Sequence, residues 1–198
     1  KGTPIYTNMS PVMSKFLWAA PEEKADPQKA KQILEEKKLL PMKFTLKVPN
    51  SSKIYLDTAQ SIKEQLKEVG ITVNLEIIEW ATWLSDVYTN RKYEASLAGL
   101  AGKMEPDAIL RRYTSTYAKN FTNFNNPKYD ALIEEAKRTS NEAKQVENYK
   151  EAQKILAEEQ AAIFLMDPNT IIATEKGLEG FEFYPLPYFN FAKLYFKK

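Results

Sequence analysis

The chain has 198 residues, a length that favours one domain, with 43% hydrophobic and 27% charged residues and a mean hydropathy of −0.49. It contains no Cys and no His, which excludes disulfide scaffolds, thiol nucleophiles, Ser-His-Asp triads and imidazole metal ligands. The 28 basic residues nearly balance the 26 acidic ones, so the net charge of +2 provides no drive toward nucleic acid.

The first 25 residues are predicted to be irregular, because three prolines interrupt a polar and aromatic stretch. Asp26-Pro27 then favours a helix start, with Asp as the N-cap and Pro at the first helical position, and the helix is expected to end near Leu40-Pro41. The apolar residues of Met42–Val48 alternate, which predicts a strand.

A strand-helix-strand unit is the most distinct pattern in the sequence. After a cap at Ser51 or Ser52, apolar residues from Tyr55 to Val69 follow 4-3-4-3 spacing, and Gly70 ends this helix. Alternation over 71–77 predicts the second strand. A helix between two such strands implies a parallel, right-handed crossover.

The remaining chain continues the alternation of helices and strands, without an internal repeat or a low-complexity linker. We therefore expect one α/β domain over 1–198, with a sheet covered by helices. The further predicted elements are a short helix at Trp80–Tyr88, a strand at Tyr93–Leu100, a short helix from Pro106 to Tyr113, a helix capped by Asn125 or Asn126, a long helix at Asn141–Glu159, and strands at Ala161–Met166 and Thr170–Thr174.

The tail from 177 to 198 is rich in aromatic residues and proline. One interpretation is a set of edge strands packed on the core of the domain. The other is that some of the rings pack against a partner domain outside this chain, since large exposed apolar patches mark interfaces. The aromatic residues are Phe181, Phe183, Tyr184, Tyr188, Phe189, Phe191, Tyr195 and Phe196.

Several polar and aromatic residues are candidates for a ligand site. Trp80 and Trp83 are three residues apart and can share one helix face, where flat rings suit a cleft wall, although core packing is the common role of such rings. Lys103 follows a predicted strand, where ligands bind in open α/β sheets, but a surface lysine is an equally good interpretation. Asn120 lies in an Asn-rich loop, where Asn chiefly forms turns.

A pair of carboxylates, Glu105 and Asp107, keeps a hydrolase such as a glycosidase open as an alternative, because that chemistry needs two carboxylates in a cleft. The simpler interpretation is that Asp107 lies in the first turn of a helix, where its charge favours the helix dipole. The lack of His, Cys and glycine-rich phosphate loops argues against an enzyme, and we expect no cofactor and no metal.

The order of sequence blocks resembles the C-terminal lobe of the extracytoplasmic solute-binding proteins of bacterial ABC importers, family 5, whose ligands include oligopeptides, dipeptides and nickel. The resemblance implies a periplasmic-binding-protein-like (type II) lobe with a mixed sheet and flanking helices. The blocks are Asp26–Leu34, similar to "DPxKAKxLL", Ala59–Val73, Glu79–Ala95, Asn125–Ile133, similar to "ysNPeyDaLi", and Tyr149–Glu159.

One further block, Gly99–Asp107, resembles a "gWsGRxDPD" segment that runs into the ligand cleft. Leu100 stands where Trp is usual, Lys103 where Arg is usual and Glu105 where Asp is usual. Lysine replaces a bidentate fork with a point charge. The ligand-binding candidates are therefore Trp80, Trp83, Leu100, Gly102, Lys103, Asp107 and Asn120, with the rings as apolar walls, Lys103 as charge and Asn120 as a hydrogen-bonding group.

The resemblance implies a binding function without catalysis. We expect a receptor for peptides or a related small ligand, with an oligosaccharide as another option, located in the periplasm or anchored by lipid at the cell surface. The implied partners are the ligand, an N-terminal lobe of the same parent protein, toward which the 177–198 tail would point, and the membrane subunits of the importer. In this family the ligand is enclosed by hinge closure of the two lobes.

Overall fold

A computed structural model of the chain describes residues 2–22, 24–184 and 189–197. The chain forms two compact units, each assembled from separate stretches of sequence. We call them the sheet unit, Pro21–Ala101 with Ala118–Asn123, and the helix unit, Lys1–Ala20 with Gly102–Tyr117 and Phe124–Lys198.

The sheet unit begins with helix α1, Pro27–Glu36, at the predicted position. Its N-cap is Asp26, whose carboxylate accepts a hydrogen bond from the Lys29 amide. Pro27 suits the first helical position, because an amide hydrogen there would have no partner within the helix and proline has none. The helix ends earlier than the predicted Leu40-Pro41, because Lys38 has the left-handed φ of 54° and reverses the chain.

Strand β2, Met42–Pro49, helix α2, Lys53–Glu68, and strand β3, Ile71–Ile78, confirm the predicted strand-helix-strand unit. The two strands are parallel and in continuous register from Met42↔Ile71 to Pro49↔Ile78. Gly70, with φ of 89°, makes the turn between helix and strand. Leu46, Val48, Ala59 and Val73 form a buried cluster between the sheet and helix α2.

Strand β4, Ala95–Ser96, pairs parallel to β2 and completes a sheet of order β3-β2-β4 within the described residues. The predicted strand Tyr93–Leu100 was therefore too long. Beyond the Leu97 amide, which still donates to the Lys47 carbonyl, no further pairing with β2 is formed by the described chain.

Helix α3 covers only Trp80–Trp83 and continues as a π-helical turn, Leu84–Thr89, where a single helix to Tyr88 was predicted. The wider turn is closed by the Asn90 amide, which donates to the carbonyl of Ser85 five residues earlier. Such π-turns occur often at functional sites.

The helix unit is built on helices α4, Pro106–Leu110, α5, Pro127–Arg138, and α6, Glu142–Glu158, all near their predicted positions. Two 3-10 turns, Pro11–Met13 and Arg111–Tyr113, accompany them. Their apolar faces enclose one core, formed by Met9, Ile109, Leu110, Tyr113, Tyr129, Ile133, Ala136, Tyr149, Ala152, Ile155 and Leu156.

Two short antiparallel strand pairs belong to the same unit: β1, Gly2–Pro4, with β5, Met166–Pro168, and β6, Leu178–Glu179, with β7, Tyr195–Phe196. A last 3-10 turn covers Phe191–Lys193.

The predicted strand Ala161–Met166 was wrong in extent, because strand β5 begins only at Met166. The predicted strand Thr170–Thr174 was wrong, because this described segment forms no strand. A strand needs a neighbouring strand as its hydrogen-bonding partner. Within the described chain, β1 pairs with residues 166–168 and not with the rest of the predicted segments. Ala161, Ala162 and Phe164 instead pack against the helical core.

The tail carries large exposed rings, with Phe183 66% and Phe191 72% exposed. Tyr188, one of the predicted tail aromatics, lies outside the described residues. None of the described helices combines the length and apolarity that a bilayer-spanning segment requires.

Candidate functional site

Two tryptophans form a stack directly after the carboxyl end of strand β3. The rings of Trp80 and Trp83 are parallel within 5°, and their centroids are 5.0 Å apart. Trp80 is 38% exposed, whereas Trp83 is 1% exposed. The stack therefore presents one indole face to solvent and supports it with a second, buried indole.

The buried indole is fixed by hydrogen bonds and by other rings. Trp83 Nε1 donates to Ser96 Oγ at 2.9 Å, and Ser96 Oγ donates to the Lys47 carbonyl of β2 at 2.9 Å. Phe121 packs edge-on against Trp83 at 5.7 Å between centroids. Trp83 is therefore too buried to form the cleft wall that was expected of it. It instead supports the exposed ring of Trp80 by stacking against it.

The start of α3 is tied to both long strands. Asn50, just after β2, donates from Nδ2 to Glu79 Oε1 at 2.6 Å, and Glu79 follows β3. The Trp83 amide donates to the Glu79 carbonyl at 2.9 Å. Trp80 is thereby placed at the carboxyl ends of parallel strands, the edge at which open α/β sheets bind ligands.

Asn120 occupies a buried position in the loop 118–123, with 4% of its surface exposed. Its side-chain oxygen accepts a hydrogen bond from Thr122 Oγ1 at 2.8 Å. The side chain predicted to offer hydrogen bonds to a ligand thus stabilises its own loop in this structure, because a loop that enters a protein interior must satisfy its polar groups internally.

Leu100 is 42% exposed and lies in the irregular segment after β4. The neighbouring Gly99 lies against helix α2, since a Cβ added there would be 2.7 Å from the Tyr55 hydroxyl oxygen. A side chain at position 99 would therefore have to displace the Tyr55 hydroxyl.

Gly102, Lys103 and Asp107 belong to the helix unit. Gly102 and Lys103 are exposed, and a Cβ at Gly102 would meet open space. Asp107 lies in the first turn of α4, as its simpler interpretation predicted, with Oδ2 3.9 Å from Arg111 Nη1. Its Oδ1 is buried and finds no hydrogen-bond donor among the described residues, so it remains an unused acceptor.

The charge of Asp107 acts on two buried tyrosines of the same unit. Burial raises the pKa of Tyr149 to about 12, with further contributions from Asp107 and Glu105. Burial, then the neighbours Tyr113, Asp130 and Asp107, raise the pKa of Tyr129 well above its usual value. These phenols stay protonated at neutral pH and act as hydrogen-bond donors, as Tyr129 does to the Leu110 carbonyl at 2.6 Å.

Sequence reasoning missed Phe121 and Tyr88, which complete the aromatic cluster with ring centroids 5.3 Å apart. Phe121 is far from the tryptophans in sequence, and no local periodicity links them. Among the described residues, no group of three acidic side chains is close enough to hold a metal ion.

A half-exposed aromatic platform at the carboxyl ends of parallel strands is typical of a ligand-binding α/β protein. Comparison with known families agrees with this class. Residues 1–123 match the model of bacterial extracellular solute-binding proteins, family 5 Middle, and the chain belongs to this family.

Curated relatives include the oligopeptide-binding protein AppA of Bacillus subtilis, 30% identical over 72% of this chain and 27% of the relative. The peptide transport periplasmic protein SapA of Haemophilus influenzae is 28% identical over 97% of this chain and 37% of the relative. The chain thus spans between about a quarter and two fifths of the length of these relatives.

Solved structures give the same assignment. The chain superposes with a TM-score of 0.84 and 27% identity on AppA of Bacillus subtilis in complex with a nonapeptide, over 100% of this chain and 43% of that protein. The fold also matches the periplasmic binding protein DppA of Helicobacter pylori in complex with the peptide STSA, at a TM-score of 0.84 and 20% identity, over 100% of this chain and 40% of that protein.

These findings confirm the family resemblance and the α/β, periplasmic-binding-protein-like fold. They also place the chain in a family of solute-binding proteins, as the sequence blocks predicted, and they leave the hydrolase alternative without support. The family consists of extracellular proteins, which agrees with the expected extracytoplasmic location.

Proposed function

We propose that this chain is part of a peptide receptor of an ABC importer and that Trp80 provides a ligand-contacting surface. The observation that carries the proposal is the Trp80–Trp83 stack, which exposes one rigid indole face at the carboxyl ends of β2 and β3. The named relatives of the family that bind or transport peptides support the ligand class.

The chemistry of the platform suits a peptide. A flat indole contacts side chains and the faces of peptide groups over a large apolar area, and its own ordering costs little entropy because the second indole already fixes it. Leu100 remains a proposed apolar contact in the same unit as the platform, and Lys103 and Asp107 remain proposed ligand-binding residues of the helix unit, considered by itself. Lys103 would attract a carboxylate as a point charge, since lysine lacks the bidentate geometry of arginine.

We also propose that the chain is the C-terminal lobe of a longer, two-lobed protein that encloses its ligand between the lobes. The supporting observations are the partial coverage of the relatives and the exposed rings of the tail, such as Phe183 and Phe191. The proposed partners are an N-terminal lobe of the same protein and the membrane subunits of the importer. The proposed location of this longer protein is the periplasm or, with a lipid anchor, the cell surface.

The test is peptide binding by the longest natural chain that contains these residues, measured by isothermal titration calorimetry. The probes are the tetrapeptide Ser-Thr-Ser-Ala, the dipeptide Met-Leu and a mixed-sequence nonapeptide, with maltotriose as an oligosaccharide probe. We expect at least one peptide to bind, and we expect Trp80→Ala to weaken that binding by about tenfold or more, as truncation of an aromatic anchor does.

The matched control is Trp18→Phe, because Trp18 belongs to the helix unit and lies outside the platform. It is expected to leave peptide affinity unchanged. Trp80 is partly exposed, so Trp80→Ala should lower the melting temperature only by the loss of the stack with Trp83, a few degrees, and should leave the protein folded at the assay temperature. Binding of maltotriose alone, or of none of the probes, would overturn the peptide assignment, and peptide affinity unaffected by Trp80→Ala would overturn the role of the platform.

A further inference from the structure

The chain reverses direction just after the π-helical turn, at Arg91. This residue has the left-handed φ of 54°, which is uncommon for a residue other than glycine. The reversal is closed by backbone hydrogen bonds from the Arg91 amide to the Val87 carbonyl and from the Lys92 amide to the Asp86 carbonyl. The geometry points the Arg91 side chain at the loop 118–123, which belongs to the same unit.

The guanidinium of Arg91 bridges two carbonyl groups of that loop. Nη2 donates to the Asn120 carbonyl at 3.2 Å and to the Ala118 carbonyl at 3.3 Å, and Nε is 3.4 Å from the Asn120 carbonyl. The Tyr93 hydroxyl donates to the Phe121 carbonyl at 2.6 Å. Two side chains from one turn therefore hold three backbone carbonyls of the loop, and we call this arrangement the Arg91 clamp.

The clamped loop carries the ring that closes the aromatic cluster. Phe121 lies 5.7 Å from Trp83 and 5.3 Å from Tyr88, and Tyr88 lies 6.0 Å from Trp83. Trp83 is thus in contact with three rings, those of Tyr88, Phe121 and Trp80. A displacement of Phe121 leaves space beside Trp83, and the stacked Trp80 loses its fixed support.

We infer that Arg91 is a positioning residue for the exposed indole of Trp80: it holds the loop 118–123, whose Phe121 packs against Trp83, and so sets the orientation of the platform without contacting the ligand. This inference rests on the proposed function of Trp80, and it adds the residue that determines the geometry of that surface. The planar fork of arginine is required, because lysine offers a single nitrogen and cannot span two carbonyls in fixed geometry.

The first experiment measures the platform without any ligand. Two indoles stacked at 5.0 Å couple their electronic transitions and give a far-ultraviolet circular-dichroism couplet, which Trp80→Phe should abolish. We expect Arg91→Lys to reduce the couplet by about half or more, because the supporting ring is no longer fixed. Lys92→Arg is the matched exchange at the next, exposed position and should leave the couplet unchanged.

The second experiment is a double-mutant cycle on peptide affinity in the longest natural chain that contains these residues, with Ser-Thr-Ser-Ala as the probe. Arg91→Lys is expected to weaken binding about fivefold when Trp80 is present and to have no further effect in the Trp80→Ala background. A purely structural role of Arg91 would weaken binding equally in both backgrounds. That equal loss, or an unchanged couplet in Arg91→Lys, would overturn the inference.

A second variant covers the case in which Arg91→Lys fails to fold. Tyr93→Phe removes only the hydroxyl that donates to the Phe121 carbonyl, and it should shift the couplet in the same direction by a smaller amount. If the wild-type protein binds no peptide, the proposed function fails, while the couplet still decides whether Arg91 positions the stack. If peptide binds but neither clamp variant alters the couplet, the inference alone fails.

Discussion

A single buried side chain, Gln153, shows how polar residues organise the helix unit. It is fully buried, and both ends of its amide are hydrogen-bonded. Nε2 donates to the Phe16 carbonyl at 2.7 Å and to the Tyr149 carbonyl at 2.9 Å. Oε1 accepts from the Thr7 hydroxyl and from the Trp18 amide, each at 3.2 Å. The irregular N-terminal segment is thereby fixed to α6 by one residue.

We predict that Gln153→Leu lowers the free energy of unfolding by about 2–4 kcal/mol, because several buried polar groups lose their partners. Urea denaturation followed by tryptophan emission measures this change. Gln32→Leu is the control, since Gln32 is exposed on α1 and donates a hydrogen bond to Glu36 of the same helix, so a change within about 0.5 kcal/mol is expected. Equal stability of the two variants would contradict the anchoring role of Gln153.

At the scale of an element, the start of α5 depends on its cap. Asn126 Oδ1 accepts a hydrogen bond from the Tyr129 amide at 2.9 Å, and its Nδ2 donates to Glu159 just beyond α6. Pro127 provides a preformed first helical residue. The cap therefore both starts α5 and connects it to the end of α6.

Replacement of the cap is predicted to destabilise the helix unit. Asn126→Ala removes the acceptor for the Tyr129 amide and should lower the free energy of unfolding by about 1–2 kcal/mol. The neighbouring Asn125 is exposed, and Asn125→Ala should change stability by less than about 0.5 kcal/mol. Thermal unfolding monitored by circular dichroism compares the two, and a larger loss in Asn125→Ala would show that the cap lies elsewhere.

At the scale of the whole molecule, the tail of the helix unit exposes several large aromatic side chains. Phe183, Phe191 and Phe196 are each at least 60% exposed. Contiguous exposed apolar surface marks a site of interaction, and the proposed N-terminal lobe would cover it.

We expect the isolated 198-residue chain to bind a hydrophobic dye such as anilinonaphthalene sulfonate or to self-associate. The double variant Phe183→Ser and Phe191→Ser should lower dye fluorescence severalfold and reduce self-association in analytical ultracentrifugation. Substitution of Val12, which is 88% exposed outside the tail, by Ser is the matched control and should leave both measurements unchanged. A monomer that binds no dye would contradict the two-lobed proposal.

Local patterns predicted those parts of the fold that depend on interactions between near neighbours in sequence. Asp26 and Asn126, the second of which was predicted together with Asn125 as the alternative, each accept a hydrogen bond from the amide three residues later, so the residue type and its position indicate the cap. The apolar alternation of β2 and β3 fixed their buried faces in the same way. The strand at Tyr93–Leu100 had an equally apolar pattern, but its length depended on how far β2 could pair with it.

The sequence by itself determined helices α1, α2, α5 and α6 and the strand-helix-strand unit, because helix caps and apolar periodicity depend on residues close in sequence. The order of its blocks determined the family. Only the tertiary structure decided that Trp80 faces solvent while Trp83 is buried, and that Asn120 serves its own loop. It also brought Arg91 to the loop 118–123, 27 to 29 positions away. Burial depends on which distant side chains fill the surrounding space, and Phe121 fills it beside Trp83.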